Sequence, residues 1–285
     1  MAPCLFSCFR KRASSAVANH QDNDNAATEV TEDEEETSLA ASEGPVVVEL
    51  FSSQGCATSH EAELLFSRLG RGDFEGELPP LILLAFHVDY WDHMGWKDPF
   101  GSSQWTVRQK TYVEAFRLDT IFTPHLVVHG RAQCVANDRD AVFTAINSVS
   151  RFPPLSFRAT FERPRTETLQ VSLTRSIKKD ESGGKDIVIM VALFECGLLT
   201  RCEDGQNRDT VLANDYVVRR LERLCDGEVK DVVAENEKKK TVSSRTINFS
   251  LWETFNSGKC GIAIFVQNSS HQILGSQKFQ LPPHI

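Results

Sequence analysis

The chain has 285 residues, 41% of them hydrophobic, a formal charge of −8 at pH 7 and a pI near 5.5. That length and apolar content suit one large packed domain or two ordinary ones. The acidic balance excludes an electrostatic grip on nucleic acid, and no run approaches the ~18 consecutive apolar residues of a membrane-spanning helix.

Residues 1–44 read as a tail. Cys4 and Cys8 stand beside the basic run Arg10-Lys11-Arg12, and the segment turns acidic through Glu29, Glu32, Asp33, Glu34, Glu35 and Glu36. Such a stretch buries too little apolar surface to offset its ordering entropy, so disorder is expected. Two readings of its start stand side by side. Cys4 and Cys8 are either S-acylated, giving peripheral contact with an anionic membrane, or ordinary thiols in an unmodified tail. No long apolar core accompanies the basic residues, which points away from a secretory leader. The eight cysteines, at 4, 8, 56, 134, 196, 202, 225 and 260, show no regular spacing and read as reduced thiols. The expected location is the cytoplasm, with membrane association only through the N-terminus.

Residues 45–152 form the first expected domain. Pro45 opens it, and an apolar strand is expected over about 45–52. A polar turn follows, then Cys56 at the expected start of a helix whose apolar positions, Leu64, Leu65 and Leu69, recur at helical spacing. Gly70-Arg71-Gly72 stops it. Leu81 to Phe86 is a continuous apolar run, the mark of a strand buried on both faces. A polar, aromatic segment runs to Gln104, and 105–118 has helical character. Thr123-Pro124 leads into the strand Leu126-Val127-Val128, a turn at His129-Gly130 and a second strand at Cys134-Val135. Asp138 is placed to cap a last helix over about 138–150. The predicted order is β-α-β, an insert with a helix, then β-β-α.

Pro153-Pro154 marks the expected boundary of a second, β-rich domain over 153–285. Segments of period two recur at 155–162, 168–175, 187–194, 246–251, 261–266 and 273–281, separated by polar turns. They predict a mainly antiparallel, sandwich-like arrangement. Residues 216–224 fit a helix or a long strand equally well.

A strand, a polar turn and a cysteine at the mouth of a helix is the build of a thioredoxin-type redox site. Position 59, where a Cys-x-x-Cys motif places its second thiol, is Ser59. The chain resembles the domain-of-unknown-function 1223 family, a thioredoxin-like group. The resemblance is carried by Val48-Glu49-Leu50-Phe51 through Gln54-Gly55-Cys56, by Ala85 to Asp92, by Gly95 to Phe100, by Thr123-Pro124 and, more weakly, by Asn207-Arg208 to Val217-Val218. It implies an α/β thioredoxin-like domain followed by a β-rich one, and it implies no established reaction. Family members commonly carry Cys-Ser-Ser-Cys followed by prolines. Here the loop is Cys56-Ala57-Thr58-Ser59-His60, so a dithiol activity does not carry over. The resemblance further implies that Pro124 is cis and faces Cys56.

The residues expected to carry chemistry are therefore Cys56 as nucleophile, Ser59 as hydrogen-bond donor to it, Pro124 opposite it and Asp89 for proton transfer. Thr123, His87, Trp91 and His60 are expected to contact a substrate, and His87 and Asp89 share a face if their strand extends that far. The spacing of His87, Asp89, Asp92 and His93 matches no established metal motif, so no metal is expected and the group reads as a hydrogen-bonded network that orders the insert, with a metal-dependent site at His87, Asp89 and His93 as the alternative. Arg108 and Tyr112 read as a solvated arginine over an aromatic ring, and Cys134 as a core thiol. Without a second thiol in the motif, an outside thiol such as glutathione must resolve a mixed disulfide on Cys56. No other cofactor is expected. Two functional readings stand: a monothiol thiol–disulfide oxidoreductase or sensor whose partners are a protein client or glutathione, and a non-catalytic binding or scaffold module.

Overall fold

The computed structural model describes residues 43–177, 187–224, 229–231 and 241–285. Cys4, Cys8 and the acidic tail lie outside the described residues. The first half runs β1 (Val46–Ser52), α1 (Ser59–Arg71), β2 (Leu81–His87), α2 (Ser103–Phe116), β3 (His125–Val128), β4 (Ala132–Val135) and α3 (Arg139–Ser148). That is the order read from the sequence. The second half adds β5 (Arg158–Arg165), β6 (Thr168–Ile177), β7 (Ile187–Glu195), β8 (Leu198–Arg201) and β9 (Val211–Asn214). It continues with β10 (Val217–Arg223), β11 (Val229–Asp231), β12 (Thr241–Ser250), β13 (Cys260–Asn268) and β14 (Ile273–Gln280). The result is a mixed α/β protein dominated by one large mixed sheet.

That sheet has eight strands in the order β14-β13-β7-β10-β2-β1-β3-β4. β1 and β2 are parallel, with Ser52 level with His87; β3 runs antiparallel beside β1, and β4 antiparallel beside β3. The boundary expected at 152/153 thus falls within one continuous sheet. The join is short: Val217 of β10 lies level with Ala85 of β2, and the Ala85 N–H donates to the Tyr216 carbonyl at 2.8 Å.

Alternation along the strands assigns the faces. Val46, Val48 and Leu50 of β1 point into a core with Ala62, Phe66 and Leu69 of α1 and Val142 and Ile146 of α3. Val47 and Phe51 point the other way, into a core with Trp105 and Tyr112 of α2. That second core continues into Ala192, Phe194, Ala263 and Phe265, so one hydrophobic layer spans both halves of the chain. On β7 the intervening residues Val191 and Leu193 face a four-stranded sheet, β11-β12-β6-β5, through Leu169, Val171, Leu173 and Phe249. The period-two segments thus build two facing sheets, and one of those sheets is shared with the first half.

Three local expectations need correction. Helix α1 begins at Ser59, three residues after Cys56, because Cys56 to Ser59 forms a turn closed by the Ser59 N–H on the Cys56 carbonyl at 3.3 Å. Its buried face is Ala62, Glu63, Phe66 and Leu69, which leaves Leu64 exposed. Arg108 is not solvated. Its guanidinium is enclosed against the buried Glu49 carboxylate (Nε to Oε1, 3.0 Å) and the Tyr112 hydroxyl (3.2 Å), over the Phe86 and Phe265 rings.

Candidate functional site

The loop Ser53–Thr58 leaves the carboxyl edge of β1, beside the carboxyl end of the parallel strand β2. Ligand crevices of open α/β sheets form at this edge. The loop approaches the insert closely at Gly55, where a Cβ would stand 3.1 Å from the Trp91 Cβ. Cys56 donates its N–H to the Ser53 carbonyl at 3.1 Å, which tightens the turn.

The Cys56 thiol is only 3% exposed. Its Sγ lies 3.3 Å from Thr58 Oγ1 and 3.8 Å from the Thr123 carbonyl oxygen, which accepts from the protonated thiol. The Thr123-Pro124 peptide is cis. The expected juxtaposition of this loop with Cys56 is present. It is held from behind by α2: Gln109, fully buried, donates to the Phe122 carbonyl at 2.6 Å and accepts from the Tyr90 hydroxyl at 3.3 Å. Trp91 donates its indole N–H to Thr123 Oγ1 at 2.7 Å, which leaves the Thr123 hydroxyl proton free to point at the sulfur.

Burial opposes ionisation of Cys56, but the hydroxyls of Ser59, Thr123 and Thr58 outweigh it and hold the thiol below its ordinary pKa. The Ser59 hydroxyl has no partner of ordinary hydrogen-bond geometry and acts on the sulfur as a close O–H dipole. The other described cysteines go the opposite way. Burial pushes Cys134, Cys196 and Cys202 up to about 11 and Cys260 up to about 12. All five described cysteines are free thiols.

The remaining predicted residues fall into different places. β2 ends at His87, so His87 and Asp89 do not share a face. His87 turns inward, fully buried, with Nδ1 2.7 Å from Asp98 Oδ2 and Nε2 3.4 Å from Glu63 Oε1. Burial works against its charge, but the two carboxylates outweigh that and raise its pKa to about 10. A histidine so enclosed does not reach a substrate. Asp89 accepts from the Thr106 hydroxyl of α2 at 2.6 Å. His93 is exposed beside the Tyr90 carbonyl. No group of three His, Cys, Asp or Glu side chains among the described residues is arranged to hold a metal ion. His60 is half-buried, and its Nδ1 lines a small cavity behind the loop.

The sequence reading missed the residues that fix the loop. Asp98 accepts from the Gln54 N–H at 2.7 Å, and the charge of His87 holds the Asp98 carboxyl below the usual range against its burial. Gln54 donates to Asn214 of β9 at 2.8 Å and accepts from the Trp96 indole at 3.2 Å. From the turn joining β8 to β9, Asn207 donates to the carbonyls of Gln54 (2.8 Å) and Cys56 (3.2 Å). Its neighbour Gln206 accepts from the Ala57 N–H at 3.1 Å. The only advance signal was that Asp98 and Asn207 fall in stretches that carry the family resemblance.

A family model described as protein of unknown function, DUF1223, matches residues 47–267. The chain belongs to the DUF1223 family. The match runs from β1 into β13, so it takes in the Cys56 loop, the cis-proline loop and the Asn207 turn of this DUF1223 protein together. No functionally curated protein matches it significantly. Among solved structures it is similar to protein AGR_C_4864 from Agrobacterium tumefaciens, at 21% identity and a TM-score of 0.53 over 86% of this chain and 100% of that one. It is also similar to HBP35 of Porphyromonas gingivalis, at 12% identity and a TM-score of 0.49 over 84% and 76% of the two chains. The first likeness supports the fold and leaves the chemistry to the site. No helix among the described residues is long and apolar enough to cross a membrane.

Proposed function

We propose that this DUF1223 protein is a thioredoxin-like monothiol redox or thiol-sensing protein centred on Cys56. The thioredoxin-like reading is supported by the order β1-α1-β2-α2-β3-β4-α3, by the strand sequence β2-β1-β3-β4 and by a cis proline opposite the loop cysteine. The observation that carries the functional reading is the contrast among thiols: Cys56 is the described cysteine whose pKa is lowered. In the reaction, the Cys56 thiolate attacks one sulfur of a client or glutathione disulfide. A new S–S bond forms to Cys56, the old one breaks, and the departing thiolate takes up a proton. A glutathione thiolate then attacks the mixed disulfide and releases Cys56 as thiolate. Ser59 and Thr58 stabilise that thiolate at both stages, and Thr123 and Trp91 frame the opposite wall. A cytoplasmic location belongs to the same reading, because a glutathione-resolved thiol requires a reducing pool.

One observation favours the second reading, a non-catalytic binding module: Cys56 is covered, and the Asn207 turn ties its loop shut. The pH dependence of alkylation at each cysteine of the reduced chain, read by mass spectrometry, separates the two. A Cys56 that reacts with an apparent pKa below ~8.5, the ordinary thiol value, supports the redox reading. A Cys56 that titrates like an ordinary thiol, or stays unreactive while the protein is folded, supports the binding module.

A further inference from the structure

Beyond Val217, β10 leaves β2 and pairs with β7 alone among the described residues. The edge of β2 is taken there by the insert, whose Ser102 N–H donates to the His87 carbonyl at 3.0 Å. Between the insert and β10 lies a cavity of about 460 Å³, within the size of small-molecule sites. The thiol chemistry makes no use of it. Its walls are Pro99, Phe100 and Ser102 of the insert, Trp105 of α2, and Arg219 and Arg220 of β10.

Regular alternation would send Arg219 and Arg220 to opposite faces of the sheet. The register of β10 against β7 shifts between Val218 and Arg220, and this bulge lets both line the one cavity. Arg219 is held in place: it donates to Glu195 at 2.6 Å and lies 4.1 Å over the Trp252 ring. Burial and the Arg220 charge hold its guanidinium below the ordinary pKa in spite of Glu195. Arg220 donates to the Arg219 carbonyl at 2.7 Å, and no carboxylate among the described residues pairs with it. Glu222, the acidic residue of the lining, is exposed.

The facing wall adds donors. Trp105 is 5% exposed, and its indole N–H has no hydrogen-bond partner among the described residues. That atom is not sealed into the core, so it opens on the cavity that the ring lines. A buried indole N–H ordinarily finds an acceptor. Ser102 caps α2, a helix of 14 residues with no acid in its first turn. The Ser102 hydroxyl accepts from the Gln104 N–H at 3.3 Å and keeps its own proton to give. The positive end of a helix thus adjoins the same space as an unmatched guanidinium.

We propose that this cavity binds a phosphate group, free or carried by a small organic molecule, through Arg220, Arg219, the Trp105 indole N–H and the amino end of α2. These donors converge from more directions than the two oxygens of a planar carboxylate can use, which favours a phosphate with three. The inference stands apart from the thiol reading, and neither needs the other.

The test is calorimetric titration of the full chain with phenyl phosphate and with inorganic phosphate at fixed ionic strength, for wild type and Arg220→Gln. Saturable binding to wild type is expected. Arg220→Gln should weaken it at least ~tenfold, the worth of a hydrogen bond to a charged group. Tighter binding of phenyl phosphate assigns the site to an organic phosphate monoester, and equal affinity for the two probes assigns it to free phosphate; both support the proposal. Failure of both probes to bind, or affinities that Arg220→Gln leaves unchanged, would overturn it. Indole N–H nuclear magnetic resonance spectra of the wild-type chain keep the test independent of the variant's folding. The Trp105 signal should shift as the bound probe saturates, and a Trp105 signal that stays in place refutes the proposal.

Discussion

Cys56 and Cys260 are both buried, at 3% and 0% exposure, yet their thiols are pushed in opposite directions. Burial disfavours the charged form at each. Around Cys260 the nearby Glu195 charge adds to it, and the Arg219 charge and the Asn256 backbone offset only part of the sum, so the thiol rises to about 12. Around Cys56 three hydroxyls converge on the sulfur and reverse the sign. The difference teaches that what sets a buried thiol is the donors aimed at it.

The largest expected effect is the contrast itself. In the folded, reduced chain at pH 7, Cys56 should alkylate at least ~1,000-fold faster than Cys260, since each pKa unit is about a factor of ten in thiolate. Equal rates, followed peptide by peptide, would break the comparison.

Next comes the ion pair that anchors the loop. His87→Leu leaves Asp98 buried without its counter-charge and should cost about 3–5 kcal/mol in denaturant unfolding. Folding raises the His87 pKa from 6.5 to about 10. Its contribution is therefore fully present below pH 6.5 and is lost as the pH rises through about 10. The gap in melting temperature between wild type and His87→Leu should close over that window, and a gap that stays constant would show that His87 is not charged.

Smaller changes sharpen the contrast at the sulfur. Thr58→Val and Ser59→Ala should each slow Cys56 alkylation at pH 7 by about tenfold, the worth of a hydrogen bond to a charged group. Cys260 serves as the internal control and should not change. The smallest effect is expected from Asn207→Ala, which removes the tie to the Gln54 and Cys56 carbonyls. It should lower stability by about 1 kcal/mol while raising the Cys56 rate a few-fold. A slower Cys56 in that variant would show that the turn positions the thiol and does not cover it.

Much of the first half was legible because its signals are local. The apolar runs at β1 and β2, the Asp138 cap and the Thr-Pro loop each declare themselves within a few residues. The Asp138 side chain does accept from the Ala141 N–H at 3.1 Å. The start of α1 was misread because Thr58 adopts helical angles without capping the helix, its hydroxyl being turned to the sulfur. The β8-β9 hairpin escaped notice because Leu199 and Val211 are largely exposed and no alternation marks the pair. Residues 216–224 stayed ambiguous until β7 paired with them. At the site, Cys56 and Pro124 were readable from their motifs. Glu63 and Asp98 were not, since a charged residue read alone suggests a solvated surface, and only partners distant in sequence reveal its burial.

The short join between β2 and β10 has a consequence for the chain as a material object. Cleavage between residues 152 and 153 would not release two self-contained pieces. It would expose the outer edge of β2 on one fragment and of β10 on the other, each a row of unpaired backbone groups. Each fragment would also lose its share of the apolar layer around Trp105, Phe194 and Phe265. Such halves are suited to mutual rescue: insoluble when made apart, and reassembling a protected Cys56 when made together.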